Sequence, residues 1–556
     1  MREPYLPASG DVSDLPVENS VADRSLSVDT AGGDVPFNGI PDEEVLGTEV
    51  PDVPQWARHA IGYQIYPLGF CGAPRSRADE FPDGKATDAV QHRLPHLLGW
   101  LNHIVSIGAN LIQLNPVFDS LTHGYDTIDH LRIDPRLGDT DDLVHLLTAC
   151  HERGLKLLLD GVFNHVSREH HIVQRALAAG PASSDGQWIR WTHDGAPQCF
   201  EGHDALVELN LEHPAVADWI LAIMRHWLDT GIDGWRLDAA YAAGPQAWAP
   251  ILQAIRRSHP ESLLVAEVIH GDYPAFIDES NAHTLTQYEL WKAMWSSLTD
   301  ENFFELDHAL TRHQGFLRTF VPWTFIGNHD VTRIASRLND PRQLVHATAL
   351  LTLLPGMPCI YAGDEFALTG VKEDREGGDD AVRPAMPDHP DETGLCQGQL
   401  GSTLLEIHRR LCGLRRRHPW LYDANIEVTK LSNRDVHILL SSRTGSDRLT
   451  LALNLLPDDL PAPGEIIERA ALGEDGRHRD MGPLPPAATP SASPNSEHDA
   501  ESHRSQRPGQ GRRQGQEPGR SQRQGQAPAR SHGPGQGRES DQSWGVVPAM
   551  GIAVCR

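Results

Sequence analysis

The sequence predicts an α/β fold: a (β/α)8 TIM barrel with a short excursion after its third strand and a C-terminal antiparallel β domain. Three observations carry this. Short apolar runs alternate with amphipathic helical stretches from Trp56 to about Pro384. Polar residues recur at the C-terminal ends of several of those runs, the end at which barrels of this kind keep their sites. Behind the last long helix lie three strand-like pieces, NIEVTKL, DVHILLSS and RLTLALNL. An open doubly wound sheet is the alternative. However, no GxGxxG opens a helix after a strand, so its nucleotide-binding version lacks support.

Residues 1–55 are acidic, rich in Pro, Gly, Ser and Asp, and without apolar periodicity, which predicts a disordered segment. The barrel is expected over 56–422. Its candidate strands are YQIYPLGF (63–70), ANLIQLNPV (109–117), LKLLLDGVF (155–163), DGWRLDAA (233–240), SLLVAEVI (262–269), NFFEL (302–306), TFIGNHD (324–330) and PCIYAGD (358–364). Between them, 141–154 sets Leu143, Leu146, Leu147 and Cys150 on one helical face and stops at Gly154. The next clear helix, 215–231, sets Val216, Trp219, Ile220, Ile223, Trp227 and Leu228 on one face and stops at Gly231. The excursion is expected over about 166–208, and a helix over 403–418. The β domain is expected over 423–472 plus 543–556, where WGVVPAMGIAVCR supplies the last strand. Between them, 473–542 is a Pro, Gly, Gln, Arg and Ser-rich low-complexity insertion, too poor in apolar residues to offset chain entropy and expected to be disordered. Loop closure entropy grows slowly with length, so such an insertion is tolerable.

The 556 residues carry a formal charge of −28, which argues against nucleic acid and anionic membranes as partners. The 7 cysteines show no CxxC spacing, so reduced and mostly buried thiols are expected. The N-terminal stretch has no apolar signal region and no later run approaches the roughly 20 apolar residues of a membrane span. The expectation is a cytoplasmic protein, monomeric or weakly oligomeric.

In GIDGWRLDAA (231–240), Arg236 and Asp238 stand two apart and therefore share a strand face. On a solvated sheet that is an ordinary surface ion pair. At the mouth of a barrel it is a positioned carboxylate beside a fixed cation. The neighbouring strand ends add Asp160, Asn164 and His165, then Glu267, then His329 and Asp330. Carboxylates converging with an arginine, histidines and aromatics suit glycoside hydrolysis, whose retaining form needs two carboxyl groups about 5–5.5 Å apart. Asp238 and Glu267 lie on consecutive candidate strands. Arg236 is expected to keep Asp238 ionised, and Glu267, in the apolar run LLVAEVI, to be the proton donor.

Four of these segments resemble, in order, the signature regions of the α-amylase family, glycoside hydrolase family 13: DGVFNHVS (160–167), GWRLDAA (234–240), AEVI (266–269) and FIGNHD (325–330). YQIYPLGF, HGYDTIDHLRIDPRLG (123–138) and GMPCIYAGDE (356–365) are further matches. The resemblance implies Asp238 as nucleophile, Glu267 as general acid/base and Asp330 as the third carboxylate, gripping sugar hydroxyls. It implies substrate contacts from Tyr125, by stacking, and from His165 and His329, by hydrogen bonds. Arg236 would position the nucleophile and Asp160 would buttress Arg236; Asn164 can be a structural amide bonding loop backbone. Many members carry a Lys-His pair where this chain has Tyr241 and Ala242, and the excursion is short. No metal requirement is therefore expected, with calcium the one alternative that Asn164 leaves open, and no other cofactor is expected. YQIYP and GDEFALTG are similar to the intracellular neopullulanase, cyclomaltodextrinase and maltogenic amylase group, whose dimer-building N-terminal β domain has no counterpart in residues 1–55. The function expected is a retaining α-glycoside hydrolase acting on short α-glucans of the maltooligosaccharide type, with an oligosaccharide as its partner. The alternatives are a transglycosylase or isomerase of the same family, on trehalose- or sucrose-type bonds, and a catalytically inactive member acting as a binding subunit.

Overall fold

A computed structural model describes residues 53–81, 89–375, 377–390, 395, 398–479 and 545–556. The disorder expected over 1–55 and 473–542 therefore lies almost wholly outside the described residues.

Eight parallel strands form one sheet in strictly sequential neighbour order. They are β1 (Gly62–Ile65), β2 (Leu111–Leu114), β3 (Lys156–Gly161), β4 (Gly234–Leu237), β5 (Leu263–Ala266), β6 (Thr284–Leu285), β7 (Trp323–Phe325) and β8 (Met357–Tyr361). β8 pairs with β1, and a parallel bridge from Thr286 to Trp323 joins β6 to β7, closing the barrel. The Gln287 N–H donates to the Trp323 carbonyl at 2.9 Å and Thr284 Oγ1 to the Val321 carbonyl at 2.7 Å, which secures that closure. The strands are shorter than the apolar runs that mark them because only part of each run pairs. Gly234 is required at the start of β4: at its φ of +152°, a Cβ would stand 2.1 Å from the Leu263 carbonyl oxygen of β5.

Helices clothe the barrel. α1 (Thr140–Glu152) opens on a capping box between Asp139 and Asp142 and buries Leu143, Leu146, Leu147 and Cys150. α2 (Pro214–Thr230) starts with Pro214 in its first turn and ends on Gly231 at φ 115°. Val216, Ile220, Ile223 and Trp227 face inward, with Trp219 only half-buried. α3 (Pro245–Ser258) follows β4, and α4 (Tyr288–Thr299) follows β6.

One strand expectation is overturned. NFFEL is the first turn of α5 (Phe303–Phe316), not a strand. Asn302 caps it by accepting from the Phe304 N–H, and Phe303, Leu306, Leu310 and His313 are buried at helical spacing while Phe304 is exposed. The sixth strand is instead the two-residue β6, too short to leave a periodic signal. YQIYPLGF likewise ends as a strand at Ile65, and Pro67 starts a helical turn over Pro67–Phe70.

α6 (Leu344–Leu353) is buried on all sides, between the barrel and the terminal sheet. Arg415, on α7 (Gly398–Arg417), donates to the Thr352 and Leu354 carbonyls at 3.0 and 2.9 Å, satisfying acceptors at the end of α6.

The terminal domain is an antiparallel sheet of β9 (Asn425–Leu431), β10 (Asp435–Ser441), β11 (Arg448–Asn454), β12 (Ile466–Ala471) and β13 (Gly551–Cys555), in the order β9-β10-β11-β13-β12. The expected single run 544–556 is divided: Val546–Val547 pairs with Leu460–Pro461, and β13 begins after Pro548, which has no N–H to pair. β13 lies between β11 and β12 rather than at the edge. Leu472 bridges to His478, so paired structure runs a few residues past the expected boundary at 472. The excursion is small: His165–Ser167 pairs with Leu206–Glu208, and a helix spans His171–Ala179.

Candidate active site

The register of the barrel sets the site. Asp160 on β3 is the ladder partner of Arg236 on β4. The ladder continues past the strands, with the Asp238 N–H donating to the Gly161 carbonyl at 3.0 Å and the Glu267 N–H to the Leu237 carbonyl at 2.9 Å. Both side chains are thereby fixed at adjacent strand ends.

Arg236 is the hub. Its Nη1 donates to Asp160 at 2.7 and 2.9 Å and to Asp238 Oδ1 at 2.7 Å, while Nη2 lies 2.5 Å from Glu267 Oε1. Directly after Asp238 the chain turns through Ala239 in the left-handed region (φ 45°, ψ 37°), which aims the Ala239 N–H at Glu267 Oε2 at 3.0 Å. Tyr288, the first residue of α4, donates its hydroxyl to Glu267 Oε1 at 3.2 Å.

The second half of the site is built around His329. Gln64 on β1 meets its Nδ1 at 3.0 Å, and the Tyr125 hydroxyl meets its Nε2. The Tyr125 and His329 rings stack with centroids 5.5 Å apart. Tyr125 also donates to Asp160 Oδ2 at 3.2 Å, and Asn115, just past β2, donates to both Tyr125 and Asp160 at 3.0 Å. Asp330 sits between His329 Nε2 at 2.8 Å and Arg383 Nη2 at 2.5 Å. Arg383 is held in turn by the His329 carbonyl at 2.9 Å, by Asp379 at 3.0 Å and against the face of Tyr66. His165 stacks on Phe200 at 4.3 Å and turns Nε2 toward Asp238 Oδ2 at 3.8 Å; that nitrogen is buried and has no hydrogen-bond partner among the described residues.

All seven residues singled out from the sequence therefore fall into one connected constellation: Asp238, Glu267 and Asp330 with Tyr125, His165, Arg236 and His329. Asp160 meets Arg236 as anticipated. The Asn164 amide lies 3.3 Å from His165 Nδ1 rather than on loop backbone. Gln64, Asn115, Tyr288, Arg383 and Asn328, whose amide donates to the Tyr288 hydroxyl at 3.0 Å, complete the network; of these only Tyr288 falls where a strand-end aromatic is expected, in YELW (288–291). Gln64 and Asn115 carried the same signal as the others, a polar side chain closing an apolar strand. Arg383, on the loop after β8, carried no local signal.

Burial works against the expected ionisation of Asp238. Burial pushes the Asp238 carboxyl well above the usual carboxylate range; Arg236 pulls it down, and Glu267 and Asp160 push it up again. Burial raises the Asp160 carboxyl as well, with Arg236 again pulling it down, so one guanidinium is set against the desolvation of both aspartates. Asp330 differs: burial raises it, but His329 and Arg383 outweigh burial and hold it well below the usual range. Burial lowers His165 to about 3, leaving a neutral ring at neutral pH.

Three carboxylates of the excursion accept from protein donors. Glu201 accepts from Tyr241 at 2.6 Å, Asp194 from Thr192 at 2.5 Å and Glu208 from Gln198 at 2.8 Å. That donor set does not fit a hard cation wanting about six to eight oxygens. Among the described residues, His92, Asp139 and Asp142 bring three ligand atoms within 4.8 Å of one another, but the two aspartates form the α1 capping box.

The profile for the α-amylase catalytic domain matches residues 78–394, more than half of the chain. The chain belongs to the α-amylase family. Among α-amylase family members it is 28% identical over 430 residues to a cyclomaltodextrinase of Bacillus sp., covering 72% of this chain and 73% of that one. It is 26% identical over 442 residues to an intracellular maltogenic amylase of Bacillus subtilis strain 168, covering 76% and 71%. The solved cyclic α-maltosyl-(1→6)-maltose hydrolase of Arthrobacter globiformis, at 24% identity, shares the fold with a TM-score of 0.62, covering 76% of this chain and 98% of that one. As an α-amylase family member the chain is a glycoside hydrolase by kinship. No helix among the described residues is long and apolar enough to cross a membrane.

Proposed function

We propose that this enzyme is a retaining α-glycoside hydrolase acting on short α-glucans of the maltooligosaccharide type. The observation that carries the reading is the double clamp of Arg236, which grips Asp238 with Nη1 and Glu267 with Nη2. Two carboxyls held on the two arms of one guanidinium are consistent with the about 5–5.5 Å of a retaining pair.

In this mechanism Glu267 enters as the acid and gives its proton to the glycosidic oxygen as the bond from that oxygen to the anomeric carbon breaks. Asp238 Oδ2, the oxygen not bonded to Arg236, attacks the anomeric carbon and forms a glycosyl ester. Water then gives its proton to Glu267 and its oxygen to the anomeric carbon, releasing Asp238 and restoring the acid. Two inversions give net retention. Asp330, ionised through His329 and Arg383, accepts from sugar hydroxyls. His165, through its unpartnered Nε2, and His329 hydrogen-bond the same sugar, and Tyr125 stacks on the sugar face.

The similarity to a cyclomaltodextrinase and a maltogenic amylase supports the substrate class. The word intracellular in the second name supports a cytoplasmic location. The test is product analysis with maltotriose, a cyclodextrin, pullulan, trehalose, sucrose and isomaltose. Glucose or maltose from maltotriose or cyclodextrin supports the reading; turnover confined to trehalose or sucrose with isomeric products contradicts it.

A further inference from the structure

We propose that Tyr241 and Glu201 form a strap across the leaving-group side of the site, restricting what sits there to a single sugar or a smaller group rather than a long glucan chain. This rests on the function proposed above.

The strap lies on the correct rim. Sequential strand order puts β4 and β5 across the barrel from β8 and β1. Gln64 lies on β1, and Arg383 and Asp330 lie on the loops after β8 and β7, where the retained sugar is gripped. Tyr241 is three residues after Asp238, on the turn Ala240–Ala243 that follows β4, and its N–H faces the Glu267 carbonyl at 3.3 Å. Its ring lies 5.4 Å from that of His270, which follows β5. Tyr241 therefore stands on the proton donor's side, where the leaving group departs.

The other half comes from the excursion. The Tyr241 hydroxyl donates to Glu201 Oε1 at 2.6 Å, a tie between residues 40 apart in the chain. Glu201 is held in the left-handed region at φ 49° and ψ 27°, and Ala239, at the root of the Tyr241 turn, at φ 45°. Neither is glycine, so both conformations are strained and persist because surrounding contacts impose them. Adjacent Phe200 stacks on His165, so drawing Glu201 toward Tyr241 also seats the excursion over the reacting sugar. A long chain leaving past Glu267 meets this tie; a glucose does not.

The test is the ratio of kcat/KM for maltoheptaose to that for maltose, measured on the full chain. Tyr241→Phe keeps the ring and loses the donor; Glu201→Ala loses the acceptor; Glu201→Gln keeps an acceptor oxygen. The first two are expected to raise the ratio about tenfold, through a lower KM for maltoheptaose, and Glu201→Gln to stay near the wild-type ratio. Melting temperatures identify any variant that fails to fold, and Tyr241→Phe, which removes one half-buried oxygen, remains informative if Glu201→Ala fails. An unmoved ratio, or an equal fall on both substrates, overturns the strap. So does a fall confined to maltoheptaose, which marks a direct contact with the chain. If the wild type turns over no α-glucoside, the proposed function fails and the strap with it; turnover with an unmoved ratio removes the strap alone.

Discussion

Arg236 meets three carboxylates with one positive charge, and this imbalance is the chemical centre of the molecule. Deleting Arg236 would leave buried carboxylates unpaired and cost about 3–5 kcal/mol in stability, so it is a poor probe of catalysis. Asp238→Asn is the clean one. It is nearly isosteric, and the amide oxygen still accepts from Arg236. Turnover should fall by about 10⁴ or more while the melting temperature stays within a few degrees, measured by initial rates and calorimetry. Retention of more than roughly a tenth of the activity is incompatible with the nucleophile assignment. At this scale the sequence was readable where a polar side chain closes an apolar strand, as Asp238 and Glu267 do, or ends the run that leaves one, as Asp330 does after β7. It was not readable at Ala239. Its left-handed turn delivers an N–H to Glu267, yet the residue is a plain alanine whose conformation is imposed from outside. Nor was it readable at Arg383, which reaches Asp330 from a loop with no periodicity.

At the scale of elements, the long periodic helices α1 and α2 and the strands bearing the site were legible, because caps, stops and apolar faces agreed. NFFEL misled because five residues do not separate a strand from the first turn of a helix, and only the continuation through Leu310 and His313 shows the helical period. β6 escaped because two residues carry no pattern. α6 offers an element-level test of packing through His346, whose Nε2 lies 3.1 Å from the Asn454 carbonyl of β11 and which burial lowers to about 4. Its folded pKa lies below the unfolded value near 6.5, so between those pH values the unfolded chain binds a proton that the folded one refuses. Stability is therefore lost as pH falls from about 6.5 to 4, by up to about 1.4 kcal/mol per unit for this group. His346→Gln keeps a donor for Asn454 and cannot titrate. The gap in stability between wild type and variant should narrow across that window in thermal melts at several pH values. Parallel curves would show that His346 does not couple folding to pH.

At the scale of the whole molecule, the last residues of the chain complete the terminal sheet. β13 is flanked by β11 and β12 and buries Ile552 and Val554. Ending the chain at residue 544 should expose both neighbouring edges and abolish soluble protein, seen on expression and centrifugation. Replacing residues 481–540 with a short Gly/Ser linker should leave activity and melting temperature nearly unchanged, as their composition predicts. Chelation with EDTA should leave the melting temperature unaltered, because Glu201, Asp194 and Glu208 are spent on protein donors. A drop of several degrees, reversed by added calcium, would reveal a site made from other oxygens. The central claim is the double displacement through Asp238 and Glu267, and proton NMR of the first product tests it most directly. During early hydrolysis of a maltooligosaccharide, the newly formed reducing end should appear as the α anomer before mutarotation; initial appearance of the β anomer would contradict the account.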